Sequence, residues 1–541
     1  MTDKFVKILP LSVVLAQIIF FSCDSKVPVI TSIDPAIGRM GEVITLTGLN
    51  FGESQEESYV TIAGISPTGS SYYLWQENLI MVRVPEFGES GLVYVYVMGK
   101  KSNGILFSNS ATVPRPVEGE ELGLGPRIVS VSPQTGVPGT VITITGNNFG
   151  ISREGGGVFF SWNYESPSFN SYIVREPEFI EVSEIELGYV SWNTREIRVR
   201  LPDGDVSGNI EVRTPHGRAP VFFDVSGKPG YKNFADKRSY TVNYSVDIRV
   251  LEATRPNTLY LWIPMPVSTP SQRNVSLVSR SIEPFIENHR GVSLFKLENL
   301  GMGFNQSVNL SFRVEVYAVE TEITPQSVRQ ETTPLSQMYT QSSSLIPSDS
   351  PQIRATVSSV VGREQNPYIK ARHLYNWIIE NIQIGHSPAD SIEAAIELKQ
   401  ADTYTTALLY AAMARSAGIP CIPVAGVLID QNGQTLRHYW AEFWIDGFGW
   451  VPADPAMGAG AVWNFLIDKE NLAGYYFGNI DNQRIAFSRG ELTLSQMENK
   501  GRPVTHTNSY SLQTIWEEAS GGLESYTSLW GDIVISGIYV Q

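Results

Sequence analysis

A histidine and an aspartate stand at matching positions on the two strands of one predicted hairpin. Residues 437–445 and 450–453 are predicted to form the two strands, with Asp446-Gly447 as the hairpin signal between them. If residues 445–447 form a three-residue loop, His438 faces Asp454 across the hairpin. Directly opposed Cβ atoms lie about 5 Å apart, so the carboxylate is close enough to hydrogen-bond the imidazole and fix its tautomer. The pair is typical of a general base with its orienting acid, but also of a surface ion pair.

The surrounding residues predict a helix and a further strand beside this hairpin. The helix runs over 403–417, with Asp402 as its N-cap and Gly418 as its stop. A strand over 422–429 follows, and Asn432-Gly433 is a hairpin signal between it and the next strand. An earlier helix is indicated by apolar residues at helical spacing, namely Ala371, Leu374, Tyr375, Ile378 and Ile382.

This part of the chain resembles the transglutaminase-like fold in three blocks, residues 402–420, 438–442 and 449–455. The resemblance covers about 353–456 and implies a papain-like α+β core. The family is built on a Cys–His–Asp triad whose cysteine begins the core helix. There the helix dipole and a nearby imidazolium favour the thiolate, which is the nucleophile. The resemblance implies that His438 is the base and Asp454 its orienter.

The nucleophile position departs from the family pattern. Thr403 stands where the family has cysteine, after Ala401-Asp402 in place of Gly-Asp or similar. An alcohol is far harder to ionise than a thiol of pKa about 8.5. A threonine nucleophile typically uses a free N-terminal amine as its base, and an internal threonine has none. A serine-type triad would also need an oxyanion hole, so Thr403 is either a nucleophile of that kind or a residue that caps the helix.

Three neighbouring side chains complete the set of candidates. Cys421 lies 18 residues beyond Thr403 among apolar neighbours, which is typical of a small buried hydrophobe rather than a nucleophile. Trp440 and Trp450 line the hairpin and are expected in the core or in a groove wall that would grip a peptide. No phosphate-binding glycine loop accompanies them, and we expect no cofactor.

Composition excludes several other classes of protein. The chain has 541 residues, a net charge of −15 and a pI near 5.0, whereas nucleic-acid binding needs a basic face. Two cysteines build no disulfide framework, and the six histidines are scattered without metal-ligand spacing. We therefore expect no nucleic-acid partner and no metal site.

The N-terminal sequence is typical of a targeting segment. Lys4 and Lys7 precede an apolar stretch over 8–21, which is too short to span a bilayer and fits a signal peptide. Ser22-Cys23 at its end resembles a bacterial lipoprotein signal, which implies that Cys23 carries a lipid after removal of residues 1–22. We expect a membrane-anchored protein of the cell envelope, periplasmic or surface-exposed; an uncleaved anchor or ordinary secretion is the alternative.

Residues 32–52 and 130–150 form an internal repeat, because their prolines, glycines and the phenylalanines 51 and 149 are each 98 positions apart. Period-2 alternation within each unit indicates tandem β-domains. The pattern of Pro-x-x-Gly-x-x-Gly, a strand and Thr-Gly-x-Asn-Phe-Gly resembles the IPT/TIG family of immunoglobulin-like sandwiches. The resemblance covers about 27–113 and 126–225 and implies spacing and binding modules.

The predicted fold is multidomain and mainly β, with one α+β domain. Long alternating strands indicate a further β-domain over 230–320. Residues 321–351, rich in Ser, Thr, Gln and Pro, are expected to form an extended connector. A tail over 457–541 is expected to pack on the core at 353–456.

Three functional hypotheses remain. In the first, a transglutaminase-like domain without catalytic activity binds peptide, protein or cell-wall material and is presented on the sandwiches. In the second, Thr403, His438 and Asp454 act as an amide-bond enzyme, that is a peptidase, amidase or cross-linker. In the third, the protein is adhesive or structural and acts through its sandwiches. Replacement of the family cysteine places the first hypothesis ahead of the second.

Overall fold

The structure is a computed structural model that describes residues 26–55, 58–68, 71–85, 90–110, 125–153, 155–162, 178–329, 331–385, 391–460, 471–498, 500–506 and 509–540. The predicted signal peptide and the predicted lipid attachment site, Cys23, lie outside these residues. Within the described ranges, no helix has both the length and the apolar character required to cross a membrane.

The first domain is a two-layer β-sandwich. One sheet has the order β1-β3-β6-β5 and the other β2-β9-β7-β4, with β8 paired to β7. Alternate side chains such as Ile44 and Leu46 on β3 are buried between the sheets, as period-2 alternation predicts. The strands are β1 Val29–Asp34, β2 Ile37–Gly38, β3 Val43–Leu49, β4 Tyr59–Ile62, β5 Tyr72–Gln76, β6 Leu79–Arg83, β7 Gly91–Val97, β8 Lys100–Lys101 and β9 Ile105–Asn109.

The second domain repeats this architecture, with sheets β10-β12-β16-β15 and β11-β18-β17-β13-β14. The repeated glycine of the motif has a packing cause in both sandwiches. A Cβ on Gly48 would lie 2.1 Å from the carbonyl oxygen of Val29, and one on Gly146 would lie 2.1 Å from that of Arg127. The strands are β10 Arg127–Ser132, β11 Thr135–Gly136, β12 Val141–Asn147, β13 Gly157–Trp162, β14 Glu178–Glu181, β15 Tyr189–Trp192, β16 Glu196–Arg200, β17 Gly208–Thr214 and β18 Gly217–Val225.

The third domain is built on a large antiparallel sheet of order β20-β23-β19-β22-β21. We call it the β-domain. Buried alternate residues of β19 and β23, including Val242, Tyr244 and Phe312, form its core. The strands are β19 Gly230–Pro264, β20 Gln272–Arg280, β21 Ile286–His289, β22 Val292–Glu298 and β23 Asn305–Ile323.

An α+β core follows, in which helices pack on a sheet of order β28-β27-β26-β29. Its last sheet strand, β29, comes from the C-terminal tail. Its helices are α2 Pro351–Val361, α3 Pro367–Asn381, α4 Ile392–Leu398, α5 Thr403–Ser416, α6 Pro455–Gly458 and α7 Leu472–Tyr475. Its strands are β24 Gln383–Ile384, β25 Gln400–Ala401, β26 Cys421–Ile429, β27 Thr435–Ile445, β28 Gly449–Ala453 and β29 Arg484–Arg489.

Two expectations about the flanking segments need correction. The connector is not extended throughout, because helix α1 spans Pro334–Thr340 and begins with a capping box at Thr333 and Ser336. The tail does not pack on the core alone. Beyond β29 it returns to the β-domain, where β31 and β32 pair with β19 and β30 pairs with β31. These strands are β30 Arg502–Val504, β31 Glu517–Trp530 and β32 Val534–Val540.

Buried charges join the second sandwich to the β-domain and the core. Lys232 of β19 donates to Asp203 Oδ1 at 2.5 Å and to the carbonyl oxygen of Trp450 on β28 at 2.7 Å. Nearby, Asp205 is wholly buried, and its Oδ1 lies 3.1 Å from Lys228 Nζ. Because a buried carboxylate is costly unless it is paired, these contacts fix the relative placement of three domains.

The buried Asp205 carboxyl predicts a pH dependence of stability. Burial raises the pKa of Asp205 from 3.8 to about 6, against the opposing effect of Lys228. A carboxyl with a raised folded-state pKa stabilises the fold fully below its unfolded pKa and loses that contribution as the pH rises through the folded value. We therefore expect the free energy of unfolding of Asp205→Asn, relative to that of the parent protein, to rise as the pH increases from 4 to 7. The expected rise is up to about 3 kcal/mol.

Urea unfolding followed by tryptophan fluorescence at pH 4, 5, 6 and 7 measures this difference. Asp532→Asn is the matched control, since the Asp532 side chain is 82% exposed. A difference between Asp205→Asn and the parent protein that stays constant across the pH range contradicts the prediction.

Candidate functional site

The structure brings His438 and Asp454 together. The two side chains are wholly buried, and His438 Nε2 lies 2.6 Å from Asp454 Oδ2. His438 lies on β27, whereas Asp454 follows β28 and caps α6 by accepting a hydrogen bond from the Met457 amide at 3.0 Å. The pair is therefore an internal hydrogen bond of the core, not a surface ion pair.

The register expected for this hairpin is wrong by two residues. Trp444 pairs with Trp450 instead of Phe448, and Ile445 pairs with Gly449. The loop is formed by residues 446–448, because the Phe448 amide donates to the Ile445 carbonyl at 2.9 Å and closes a turn. A slip of two preserves which face each side chain occupies, so the histidine and aspartate still meet, along a diagonal.

Arg484 on β29 completes a buried charged network that the sequence did not reveal. Its Nη1 donates to Asp454 Oδ2 at 2.9 Å, and its Nη2 donates to Asp481 Oδ2. The Tyr476 hydroxyl donates to the same oxygen of Asp481 at 3.1 Å. The guanidinium also lies over the Trp440 ring, 4.9 Å from its centroid. Asp481 and Arg484 share no local motif with the hairpin, and only the fold places them beside it.

This network keeps Asp454 charged although it is out of contact with water. Burial acts to raise the pKa of Asp454, but the His438 imidazole and the Arg484 guanidinium hold it below its ordinary value. Burial acts to lower the pKa of Arg484, but Asp481 and Asp454 raise it above its ordinary value. Asp454 is thus a buried carboxylate that forms hydrogen bonds with both the His438 imidazole and the Arg484 guanidinium.

The other ring nitrogen of the histidine, Nδ1, is not part of this network. His438 Nδ1 is buried and makes no hydrogen bond with any residue that the structure describes. Thr403 is among those residues, so its hydroxyl does not hydrogen-bond the imidazole. The three triad-equivalent residues are therefore not joined as a chain of hydrogen bonds.

Thr403 begins α5 as predicted, and Asp402 is the N-cap, with its side chain accepting from the Thr405 amide at 2.7 Å. The cap is therefore supplied by Asp402 and not by the Thr403 hydroxyl. Thr403 itself is only partly exposed. The expected stop is also confirmed, since Gly418 follows the helix with φ of +79°.

The two faces of β27 separate the histidine from most of the helix. Tyr439 contacts Tyr404 of α5, with ring centroids 5.0 Å apart, and Phe443 belongs to the helix-facing core. His438 and Trp440 stack on each other and, by strand alternation, point to the opposite face. On that face the Arg484 guanidinium lies over the Trp440 ring and near the Tyr476 ring, and the His438–Asp454 pair is wholly buried.

The remaining candidates are buried. Cys421 is fully buried in the core, as its apolar neighbours indicate. This burial raises the pKa of its thiol to about 12. Trp440 is 4% exposed and packs among Val424, Ile480 and Ala486. Trp450 is 3% exposed, yet one edge borders a cleft between domains. Among the described residues, no group of three or more His, Cys, Asp or Glu side chains is placed to hold a metal ion.

Comparisons with known proteins agree with this architecture. The profile of the transglutaminase-like superfamily matches residues 354–455, and that of the IPT/TIG domain matches residues 28–113 and 126–167. An uncharacterised protein of Haemophilus influenzae is 27% identical over 165 residues, which span 24% of this chain and 44% of that protein. The match therefore covers less than half the length of this relative.

Two solved structures illustrate the range of structural neighbours. A candidate cysteine protease from Cytophaga hutchinsonii is 15% identical with a TM-score of 0.35, over 57% of this chain and 92% of its own. SGBP-B from a complex xyloglucan utilization locus in Bacteroides uniformis is 11% identical with a TM-score of 0.15, over 54% of this chain and 99% of its own. The chain combines immunoglobulin-like IPT/TIG domains with a domain of the transglutaminase-like superfamily.

Proposed function

We propose that this protein is an exported, lipid-anchored protein of the cell envelope whose transglutaminase-like domain binds a ligand without cleaving or cross-linking it. The observation that carries the proposal is the burial of the His438–Asp454 pair under Arg484. Peptide, protein or cell-wall material is the proposed ligand class. The IPT/TIG domains present the core away from the membrane.

Three features argue against catalysis. Thr403 is an alcohol in the place of a thiol, and no hydrogen bond connects it to the base. The imidazole of His438 is wholly buried, so a substrate has no contact with it in this conformation. Asp454 Oδ2, the oxygen that contacts His438, also accepts a hydrogen bond from Arg484 Nη1, so the orienting acid is part of a structural network.

A working amide-bond enzyme is the second candidate. It is favoured by retention of the short His438–Asp454 hydrogen bond, which fixes the tautomer that leaves Nδ1 as a possible acceptor. In that case the core would have to open before Thr403 and His438 met. Turnover measurements distinguish the two candidates.

We expect the protein to be inactive and a cysteine at position 403 to be reactive but not catalytic. In a Cys23→Ser background, the parent protein should neither incorporate dansylcadaverine into dimethylcasein nor hydrolyse casein. Thr403→Cys should take up about one equivalent of iodoacetamide at pH 7.5, because a helix N-terminus favours thiolate. Cys421 should stay unlabelled, since it is buried with a pKa of about 12.

Ser416→Cys, at the opposite end of α5, is the matched control for labelling, because it lacks the favourable end of the helix dipole. The proposal fails if the parent protein shows turnover that disappears in both Thr403→Ala and His438→Asn. That pattern would identify a threonine-dependent enzyme.

We expect Arg484 to stabilise the core strongly. Arg484→Met would leave Asp454 and Asp481 as buried carboxylates without their shared cation, at a cost of about 3–5 kcal/mol. Arg437→Met is the matched control, since that side chain is 52% exposed and its ion pair with Asp532 is worth at most about 1 kcal/mol. Urea unfolding measures both values, and equal losses would contradict a structural role for the network.

We expect membrane attachment to depend on Cys23. In bacterial cells, the full chain should label with a radioactive fatty acid and sediment with membranes, whereas Cys23→Ser should do neither. The apolar stretch over 8–21 is left unchanged in this variant and controls for anchoring by an uncleaved segment. Membrane association that persists without label in Cys23→Ser would show that the segment itself is the anchor.

A further inference from the structure

A cleft of about 860 Å³ lies where three domains meet. Residues 179–186 of the second sandwich form one wall, and residues 265–270 and 273–275 of the β-domain form another. Trp450 and Arg489 of the core close one end. Neither Thr403 nor His438 borders it. The cleft is thus separate from the triad-equivalent residues, and its volume and its place between domains are typical of ligand sites.

The charges around the cleft are balanced, although the whole chain carries −15. Five arginines and five carboxylates line it, without a lysine or histidine among the described lining residues. Among the described residues, Arg153, Arg273, Arg280 and Arg489 each have a carboxylate partner. Arg489 contacts Glu186 and Glu442, each at 2.6 Å, and Arg280 contacts Glu287 at 2.7 Å. The cleft is therefore close to neutral.

Such paired charges disfavour a charged ligand. At four of the five arginines an anion would have to compete with a carboxylate that is already bound, and a cation would have to compete with the arginine. The pairs nevertheless leave donors and acceptors side by side at the surface. A hydroxyl group is both a donor and an acceptor, so a hydroxyl-rich ligand matches them.

The apolar part of the cleft fits the same kind of ligand. Phe159 and Phe179 are partly exposed and border the cleft. Arg273 is held beside them, with its Nη2 donating to the Phe179 carbonyl at 2.8 Å and its guanidinium 4.0 Å from the Trp162 ring. A pyranose ring presents C–H groups on its faces and hydroxyls around its edge, so it uses both kinds of surface.

From the charge balance and the apolar wall, we propose that this cleft binds an uncharged oligosaccharide. It is a different site from the His438 pair, so its occupancy does not depend on whether the core is catalytic. The ligand lies against the second sandwich and the β-domain together. The site is therefore complete only when these domains are docked.

Isothermal titration of the full chain with maltohexaose, cellohexaose and chitohexaose tests the proposal. At least one of these uncharged hexasaccharides should bind. Ser268→Trp should weaken that binding at least tenfold, because Ser268 is exposed and borders the cleft. Ser276→Trp is the matched control and should leave affinity unchanged, since Ser276 is exposed on β20 but does not border the cleft.

A second variant covers the case in which a new tryptophan disturbs folding. Arg273→Gln removes a fixed guanidinium from the wall and should weaken binding at least fivefold, with an unchanged far-ultraviolet circular dichroism spectrum. Absence of binding by all three hexasaccharides overturns the proposal, as does equal affinity in Ser268→Trp and Ser276→Trp. Tighter binding of hexagalacturonate, or of an uncharged Gly-Ser peptide, with the same sensitivity to Ser268→Trp overturns the ligand class.

Discussion

A carboxylate that is completely removed from water must be compensated by charge and hydrogen bonds, and the C-terminal core is arranged around that requirement at Asp454. The compensating groups come from three elements: the imidazole of His438 on β27, the guanidinium of Arg484 on β29 and the Met457 amide in α6. One side chain thus links three segments that are far apart in sequence. Loss of Arg484 would leave Asp454 without the guanidinium that balances its charge.

The same requirement gives His438 and Asp454 a role that does not depend on a nucleophile. In an active triad, the aspartate orients a histidine that exchanges protons with a thiol. Here Asp454 serves a fold-stabilising network, and His438 Nδ1 faces no hydrogen-bonding partner among the described residues. Both side chains have a stabilising role in the buried network. Their presence is therefore weaker support for catalysis than the same two residues would be in an open site.

Local sequence patterns predicted the elements well, and long-range pairing poorly. The bounds of α5 and its Asp402 cap follow from residues within one turn of the helix end, and these were predicted from the sequence. The hairpin register was wrong by two because turn closure at Phe448 depends on backbone geometry that residue types alone do not determine. The His438–Asp454 contact survived because a slip of two keeps both side chains on one face.

Arg484 and the returning tail strands were missed for a related reason. A strand carries its alternation in its own sequence, but not the identity of the sheet that it joins. β29 joins the core, whereas β31 pairs with β19 of the β-domain, although both lie in one tail. The partner of Arg484 is therefore set by topology. Helix α1 carries a local signal in its capping box, whereas the composition of the connector indicates an extended segment.

The hairpin β27–β28 has a further consequence, because it carries both the buried pair and the contacts to the second sandwich. Asp454 follows one end of β28, while Trp450 near the other end accepts from Lys232 and donates to Glu186 at 3.1 Å. At Gly449, a Cβ would lie 2.0 Å from Asp203 Oδ1. Only glycine therefore fits at this contact between the core and the second sandwich. The second sandwich is thus docked on the core. Asp203, Glu186 and Trp450 all border the cleft, so contacts of the core fix part of its wall without any part in catalysis.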